Sequence, residues 1–287
     1  KDLLTYEEIE HLAALVAGIG VRKFRLTGGE PLLRQGLEEL VMMLSKIEGV
    51  DDLAMTTNGV LLAAYAAKLR RAGLHRVTVS LDALDRKVFG QMNGVGARVE
   101  RVLDGIEQAL SEGLGVKINT VVQQGINESE ILPLVRWGSE RDIPVRFIEY
   151  MDVGETNGWR MEHVVPSAEV FEMIAAEFPL NKLEPAHRGE VARRYQIGRG
   201  KAEVGFISSV TEPFCGDCNR LRLSAEGKLY TCLFAESGFD VRELLRAGKE
   251  ETLGLAIRGV WADRSDRYSE RRGAGKNQKV EMSYIGG

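Results

Sequence analysis

The sequence is poor in thiols and imidazoles, with three cysteines and four histidines among 287 residues. Three thiols cannot all pair within one chain, so a disulfide framework is excluded and a reducing compartment is expected. Apolar runs fall far short of the roughly 18 residues a membrane helix needs, and no basic start followed by an apolar stretch reads as a signal peptide. These absences predict a cytoplasmic protein with no membrane partner. Neither sign of charge dominates: 38 Lys and Arg stand against 42 Asp and Glu, a net charge of −4. A DNA or RNA footprint would need a broad basic surface, which is not expected here. What remains is an ordinary globular composition, 44% hydrophobic and 28% charged, long enough for one large core or two domains.

From residue 5 to about 180, short β-like runs alternate with amphipathic helical stretches. Thr5 followed by acidic residues reads as a capped helix start. Strands are expected at "VRKFRLT" (21–27), "LAMTT" (53–57), "RVTVSLD" (76–82), "GVKINTVV" (115–122) and "VRFIEYM" (145–151). Helical patterns lie near 34–47, 61–71, 98–112, 128–141 and 167–178. This order calls for an α/β fold with a parallel sheet, either open or closed as a full or partial barrel. After about 181 the pattern shifts to short strands with glycine turns, then a cysteine segment and helical patterns at 240–247 and 249–261. We read residues 1–181 as the larger domain and 182–287 as a smaller α+β domain with a polar tail.

Strands of a parallel sheet are covered on both faces and normally read as continuous Val, Ile and Leu. Here the period of two places Lys23 and Arg25 on one face of the first strand and Lys117 with Asn119 on one face of the fourth. Arg146 sits between apolar neighbours in the fifth. Cations at such positions need an anion or solvent. Either Glu30, Asp82 and Glu149 neutralise them, or a central cavity holds an anionic ligand; convergence from three strands favours the ligand. The carboxyl ends of the strands read "TGGEP", "TTNG", "SLD" and "EYMD", small and polar, at the edge where parallel α/β folds place their sites.

All three cysteines fall in "PFCGDCNRLRLSAEGKLYTCLF": Cys215, Cys218 and Cys232. Thiolates select zinc, copper(I) or iron–sulfur clusters. Zinc would need a distant fourth ligand such as His163 or His187. Arg220 and Arg222 alternate with Leu221 and Leu223, so two cations share one side next to the thiols. That pairing suits an anionic substrate at a metal group with an open position.

In this order, "LLTYEEIEHL", "FRLTGGEPLLR", "TTNG", "VTVSLDALD", "INTVVQQGIN", "RFIEYMDVG", the cysteine segment and the terminal "SYIGG" resemble the GTP 3′,8-cyclase family along essentially the whole chain. These are radical S-adenosylmethionine enzymes that begin molybdenum-cofactor biosynthesis. The resemblance implies a partial (β/α)6 barrel followed by a smaller domain with an auxiliary [4Fe–4S] cluster. It implies that Cys215, Cys218 and Cys232 hold that cluster. GTP would be contacted by Arg25, Thr56, Lys117, Arg220, Leu221 and Arg222, with Lys23 and Arg146 lining the same channel. S-adenosylmethionine would be contacted by Gly29, Ser80 and Met151, and the Gly286-Gly287 tail would reach the site. The family's CxxxCxxC motif, which holds a second [4Fe–4S] cluster, is expected upstream of Lys1, and the chain as given would be inactive without it. Further expectations are an electron donor such as flavodoxin or ferredoxin, a downstream cyclic pyranopterin monophosphate synthase, and a homodimer as one assembly open to the chain. Two alternatives stand beside this reading: another radical enzyme with an auxiliary cluster, and a zinc-stabilised nucleotide-binding protein.

Overall fold

The computed structural model describes residues 3–94, 96–154, 157–272 and 280–285. Helix α1 (Tyr6–Gly18) opens with a capping box: Thr5 accepts from the Glu8 amide, and the Glu8 carboxylate accepts from the Thr5 amide. Strands β1 (Lys23–Leu26), β2 (Asp52–Thr57), β3 (Arg76–Ser80), β4 (Gly115–Val122) and β5 (Val145–Glu149) then alternate with α2 (Leu37–Ser45), α3 (Leu62–Arg71), α4 (Arg86–Met92), α5 (Val99–Ser111) and α6 (Ile131–Ser139). Helix α7 (Ser167–Ala175) precedes β6 (Leu180–Lys182), β7 (Arg193–Ile197) and β8 (Glu203–Ile207).

One eight-stranded sheet has the order β1-β2-β3-β4-β5-β8-β7-β6. The pairs from β1 to β5 are parallel, and β8 joins β5 in parallel, so six parallel strands form the curved wall. The expected partial barrel of six β/α units is therefore present, but its sixth strand comes from beyond residue 182. The boundary expected there falls inside a continuous sheet. The β7–β8 hairpin is antiparallel, and its alternation with glycine turns reads as a separate unit in sequence. Helix α4 is also additional: seven residues capped by Asp85 carry too few turns for a periodic signal.

The core lies between the outer sheet face and the helices. Leu53, Met55, Val77, Val79, Ile118 and Val145 are all 1% exposed or less. Helices α3 and α5 pack closely because Gly59 and Gly105 carry no side chain. A Cβ on Gly105 would lie 2.7 Å from the Gly59 carbonyl oxygen and 3.0 Å from Leu62 Cβ.

The remainder forms a small antiparallel sheet of β9 (Arg222–Leu223), β10 (Lys228–Tyr230) and β11 (Phe239–Asp240), with α8 (Arg242–Arg246), α9 (Glu250–Ala262) and α10 (Met282–Ile285). A second apolar cluster joins Leu4 and Leu12 to Leu229, Val241, Leu253 and Ile257. Leu4 thus ties the start of the chain to the smaller unit, and its amide donates to the Ala225 carbonyl at 2.8 Å. Among the described residues no helix is long and apolar enough to cross a membrane. Gly105→Ala should lower stability by about 1–3 kcal/mol, because the new methyl meets backbone that cannot swing aside; urea denaturation checks this, and an unchanged midpoint would contradict the packing.

Candidate functional site

The two faces of each strand decide the site. In β4, Val116, Ile118, Thr120 and Val122 are buried against the helices, while Lys117, Asn119 and Val121 are half-exposed on the other face, toward the lumen. Register carries that face across the sheet: Thr56 pairs with Thr78, Thr78 with Lys117, Asn119 with Arg146, and Arg146 with Gly205. Arg25 reaches across two strands, donating from Nη1 to Thr56 Oγ1 at 2.8 Å and to Thr78 Oγ1 at 3.1 Å. A Cβ on Gly205 would lie 3.2 Å from Arg146 Cγ, so the glycine makes room for that side chain.

The lumen therefore concentrates positive charge. Arg25 is accessible to solvent within it, yet the surrounding protein wall, then Arg76 and Arg146, push its pKa down to about 10. Burial, then Arg146 and Arg76, push Lys117 down to about 8. Burial likewise lowers Arg146, opposed by Glu190 at 3.9 Å. Asn119 Oδ1, in the same lumen, is buried without a hydrogen-bond partner.

Glu30, Asp82 and Glu149 are not counter-ions of these cations. Glu149 is on the opposite face of β5 from Arg146. Its carboxylate accepts from the amides of Ser167, Val210 and Thr211 and from the Thr211 hydroxyl at 2.5–2.8 Å. Glu30 accepts from Leu32, Thr57 and Asn58, and Asp82 from the Val121 amide. Burial pushes Asp82 up to about 6. The carboxylates that do face lumen cations are Asp52, bidentate to Arg76 at 2.9 and 2.5 Å, and Glu190 and Glu203, which hold Arg194 at 3.2 and 3.1 Å. The alternation of Asp52 with Ala54 and Thr56, and of Arg76 with Thr78 and Ser80, carried that signal in sequence; Glu190, in a loop, had none. Among the described residues Arg25 and Lys117 form no ion pair.

Lys23 is exposed at the amino end of β1, opposite Asp52 in register. Gly29, Ser80 and Met151 follow or end β1, β3 and β5, all at the carboxyl edge. A Cβ on Gly29 would lie 4.0 Å from the Ser283 carbonyl oxygen, so α10 approaches that edge. Gly286 and Gly287 lie outside the described residues.

The three thiols are half-buried. Arg220 donates to Cys218 Sγ from Nε at 3.1 Å and Nη2 at 3.0 Å, and its guanidinium covers the Phe214 ring. Burial opposes ionisation of Cys218, but Arg220, aided by Arg264, outweighs it and brings the thiol down to about 7. Burial instead raises Cys232. Arg222 lies within electrostatic reach of both Cys218 and Cys232; burial, then Arg220, push it down to about 10, and its Nη1 has no partner. Leu221, between the two arginines, packs against the second apolar cluster. Cys218 and Cys232 stand near guanidiniums, one with an unsatisfied buried donor, and Cys215 lies within electrostatic reach of Cys232, a soft donor set that suits an anionic iron–sulfur group. His187 Nδ1 lies 3.0 Å from the Arg188 carbonyl oxygen, and His163 Nε2 lies 4.0 Å from Glu162. Among the described residues no three His, Cys, Asp or Glu side chains converge on a single-ion site.

Comparison with known proteins decides the family. A GTP 3′,8-cyclase of Xanthomonas campestris pv. campestris is 49% identical over 287 residues, covering 99% of this chain and 84% of its own. One from Acidothermus cellulolyticus is 45% identical over 316 residues, covering 100% and 87%. The chain belongs to the GTP 3′,8-cyclase family. Two family models agree with this membership: the Radical SAM superfamily over residues 1–138 and Molybdenum Cofactor Synthesis C over 143–270. Among solved structures, Streptococcus suis SuiB bound to S-adenosylmethionine matches with a TM-score of 0.64 at 14% identity, covering 99% of this chain and 69% of its own. That match supports the fold.

Because Glu149 holds two loops rather than a cation, Glu149→Gln should cost about 1–3 kcal/mol of stability. Its carboxyl is held below the usual range, burial opposing ionisation while Thr211, Ser167 and Val210 outweigh it. Its contribution is thus complete above the ordinary carboxylate pKa and lost as pH falls through the folded value. Denaturation at neutral and acid pH checks both; equal loss at both would contradict the assignment.

Proposed function

We propose that the protein is a GTP 3′,8-cyclase of molybdenum-cofactor biosynthesis, converting GTP into 3′,8-cyclo-7,8-dihydro-GTP. One observation carries the reading: Arg25 and Lys117 project into a common lumen without a carboxylate partner among the described residues, and a thiol segment with Arg220 and Arg222 belongs to the same molecule. A nucleoside triphosphate supplies the missing negative charge, and a group on Cys215, Cys218 and Cys232 supplies a place for the base.

Membership of the radical SAM superfamily implies a [4Fe–4S] cluster and S-adenosylmethionine. Bound, they supply the radical chemistry that joins ribose C3′ to guanine C8. This chain's residues bind, orient and shield. Arg25, Thr56, Lys117, Arg220, Leu221 and Arg222 are assigned to GTP, with Lys23 and Arg146 along the channel. Gly29, Ser80 and Met151 are assigned to S-adenosylmethionine, and the three cysteines to an auxiliary [4Fe–4S] cluster. The barrel wall orients the ribose and keeps water from it. The reading includes a cytoplasmic location, a flavodoxin or ferredoxin as electron donor, and a downstream pterin-forming synthase that consumes the product. A homodimer is compatible with it.

Two measurements test this. Lys117 loses its proton as pH rises through about 8, so calorimetric GTP affinity of the full-length protein should fall between pH 7 and 9, and Lys117→Arg should flatten that fall. A pH-independent affinity in wild type would remove Lys117 from the site. Cys218→Ser, reconstituted anaerobically with iron and sulfide, should lose the iron and visible absorption of one cluster; a full complement would count against ligation.

A further inference from the structure

The proposed reaction needs two parts of the protein held in register: the carboxyl edge of the barrel at Met151 and the thiol segment at Cys232. A side-chain cluster outside the assigned site joins them. Asp152, next to Met151, is 7% exposed. Its carboxylate accepts from the Tyr268 hydroxyl at 2.6 Å and from Arg272 Nε at 2.8 Å. Arg272 Nη1 also donates to the Ser209 carbonyl oxygen at 3.3 Å, after β8. The same guanidinium lies 5.8 Å from the Trp159 ring and 5.7 Å from the Phe234 ring. Phe234 stacks on Tyr268 with centroids 4.6 Å apart, and its amide donates to Cys232 Sγ at 3.4 Å. The segment that carries Tyr268 and Arg272 grips the thiol loop twice more: Arg264 donates to the Cys218 carbonyl oxygen, and the Thr231 hydroxyl to Asp266.

A buried ion pair is a poor device for stability alone, since an apolar pair of similar volume does about as well. Arg272 carries an added cost, because its Nη2 is buried with no partner. Such a pair does fix a geometry, through a planar fork gripping Asp152 and Ser209 while its faces meet two rings. We propose that Arg272 and Asp152 are a positioning pair that sets the offset between the Cys232 loop and the Met151 edge. Neither residue touches substrate; both act through the segments they hold. Small offsets matter, because a misplacement of about 1 Å can cost on the order of a hundredfold in rate.

The inference rests on the cyclase reading, and its test separates the two. Arg272→Gln, Asp152→Asn and the double variant, each in the full-length reconstituted protein, are compared with wild type. The readouts are the KM for GTP, the 5′-deoxyadenosine released per cyclised nucleotide, and amide hydrogen exchange over 232–236. Each single variant should release about fivefold more 5′-deoxyadenosine per product with KM changed less than about twofold. Exchange over 232–236 should quicken in Asp152→Asn although that residue follows β5, and the double variant should be no worse than the poorer single. An unchanged ratio in folded single variants, or effects that add in the double, overturns the pair. If a single variant does not fold, Tyr268→Phe keeps the ring and removes one hydroxyl, and unchanged ratio and exchange there overturn it equally. Wild type that forms no cyclised nucleotide would sink the cyclase reading, and exchange over 232–236 would still decide the pair.

Discussion

The constraint that organises this protein is the crowding of like charges in a protein-walled lumen. Arg76 lowers the proton affinity of Arg25, Lys117 and Arg146, and Arg146 lowers that of Arg25 and Lys117. Mutual repulsion and partial desolvation make such a cluster unfavourable by itself. Part of the charge is cancelled within the chain, by Asp52 on Arg76 and by Glu190 on Arg146. Among the described residues Arg25 and Lys117 have no carboxylate paired to them, and theirs is the charge that the proposed function assigns to an anionic substrate.

Every other feature serves that charge. The outer sheet face and its helices supply the apolar core, which lets the inner face carry groups that no core would accept. The carboxylates that sequence alone offered as counter-ions are engaged elsewhere, Glu149 and Glu30 by loop amides and threonine hydroxyls and Asp82 by the Val121 amide of β4. At the thiol segment the same logic recurs on a smaller scale, with Arg220 paired to Cys218 and Arg222 held unsatisfied beside it.

Much of this was legible in the sequence, for definite reasons. The period of two placed Lys23 with Arg25 on one face of the first strand and Lys117 with Asn119 on one face of the fourth, while the register that brings Arg146 beside Asn119 came only with the pairing. The stretches 115–122 and 145–151 read as strands in sequence, and β4 and β5 fall there. Near residue 182 the sheet is continuous: β8 pairs with β5 between residues 59 positions apart, Val145 with Val204, and pairing partners leave no local trace. The roles of Glu149 and Glu30 were equally hidden, since a carboxylate's partner depends on which loop amides the fold brings to it. Asp152, Tyr268 and Arg272 meet only in three dimensions, and no spacing rule joins them.

In the proposed function, lumen and thiol-segment cations together receive a triphosphate. The most direct measurement is the affinity of the full-length protein for guanosine, GMP, GDP and GTP, each at low and high salt. Affinity that climbs with every phosphate and weakens with salt is the expected result. A flat series, insensitive to both phosphate number and ionic strength, would contradict it.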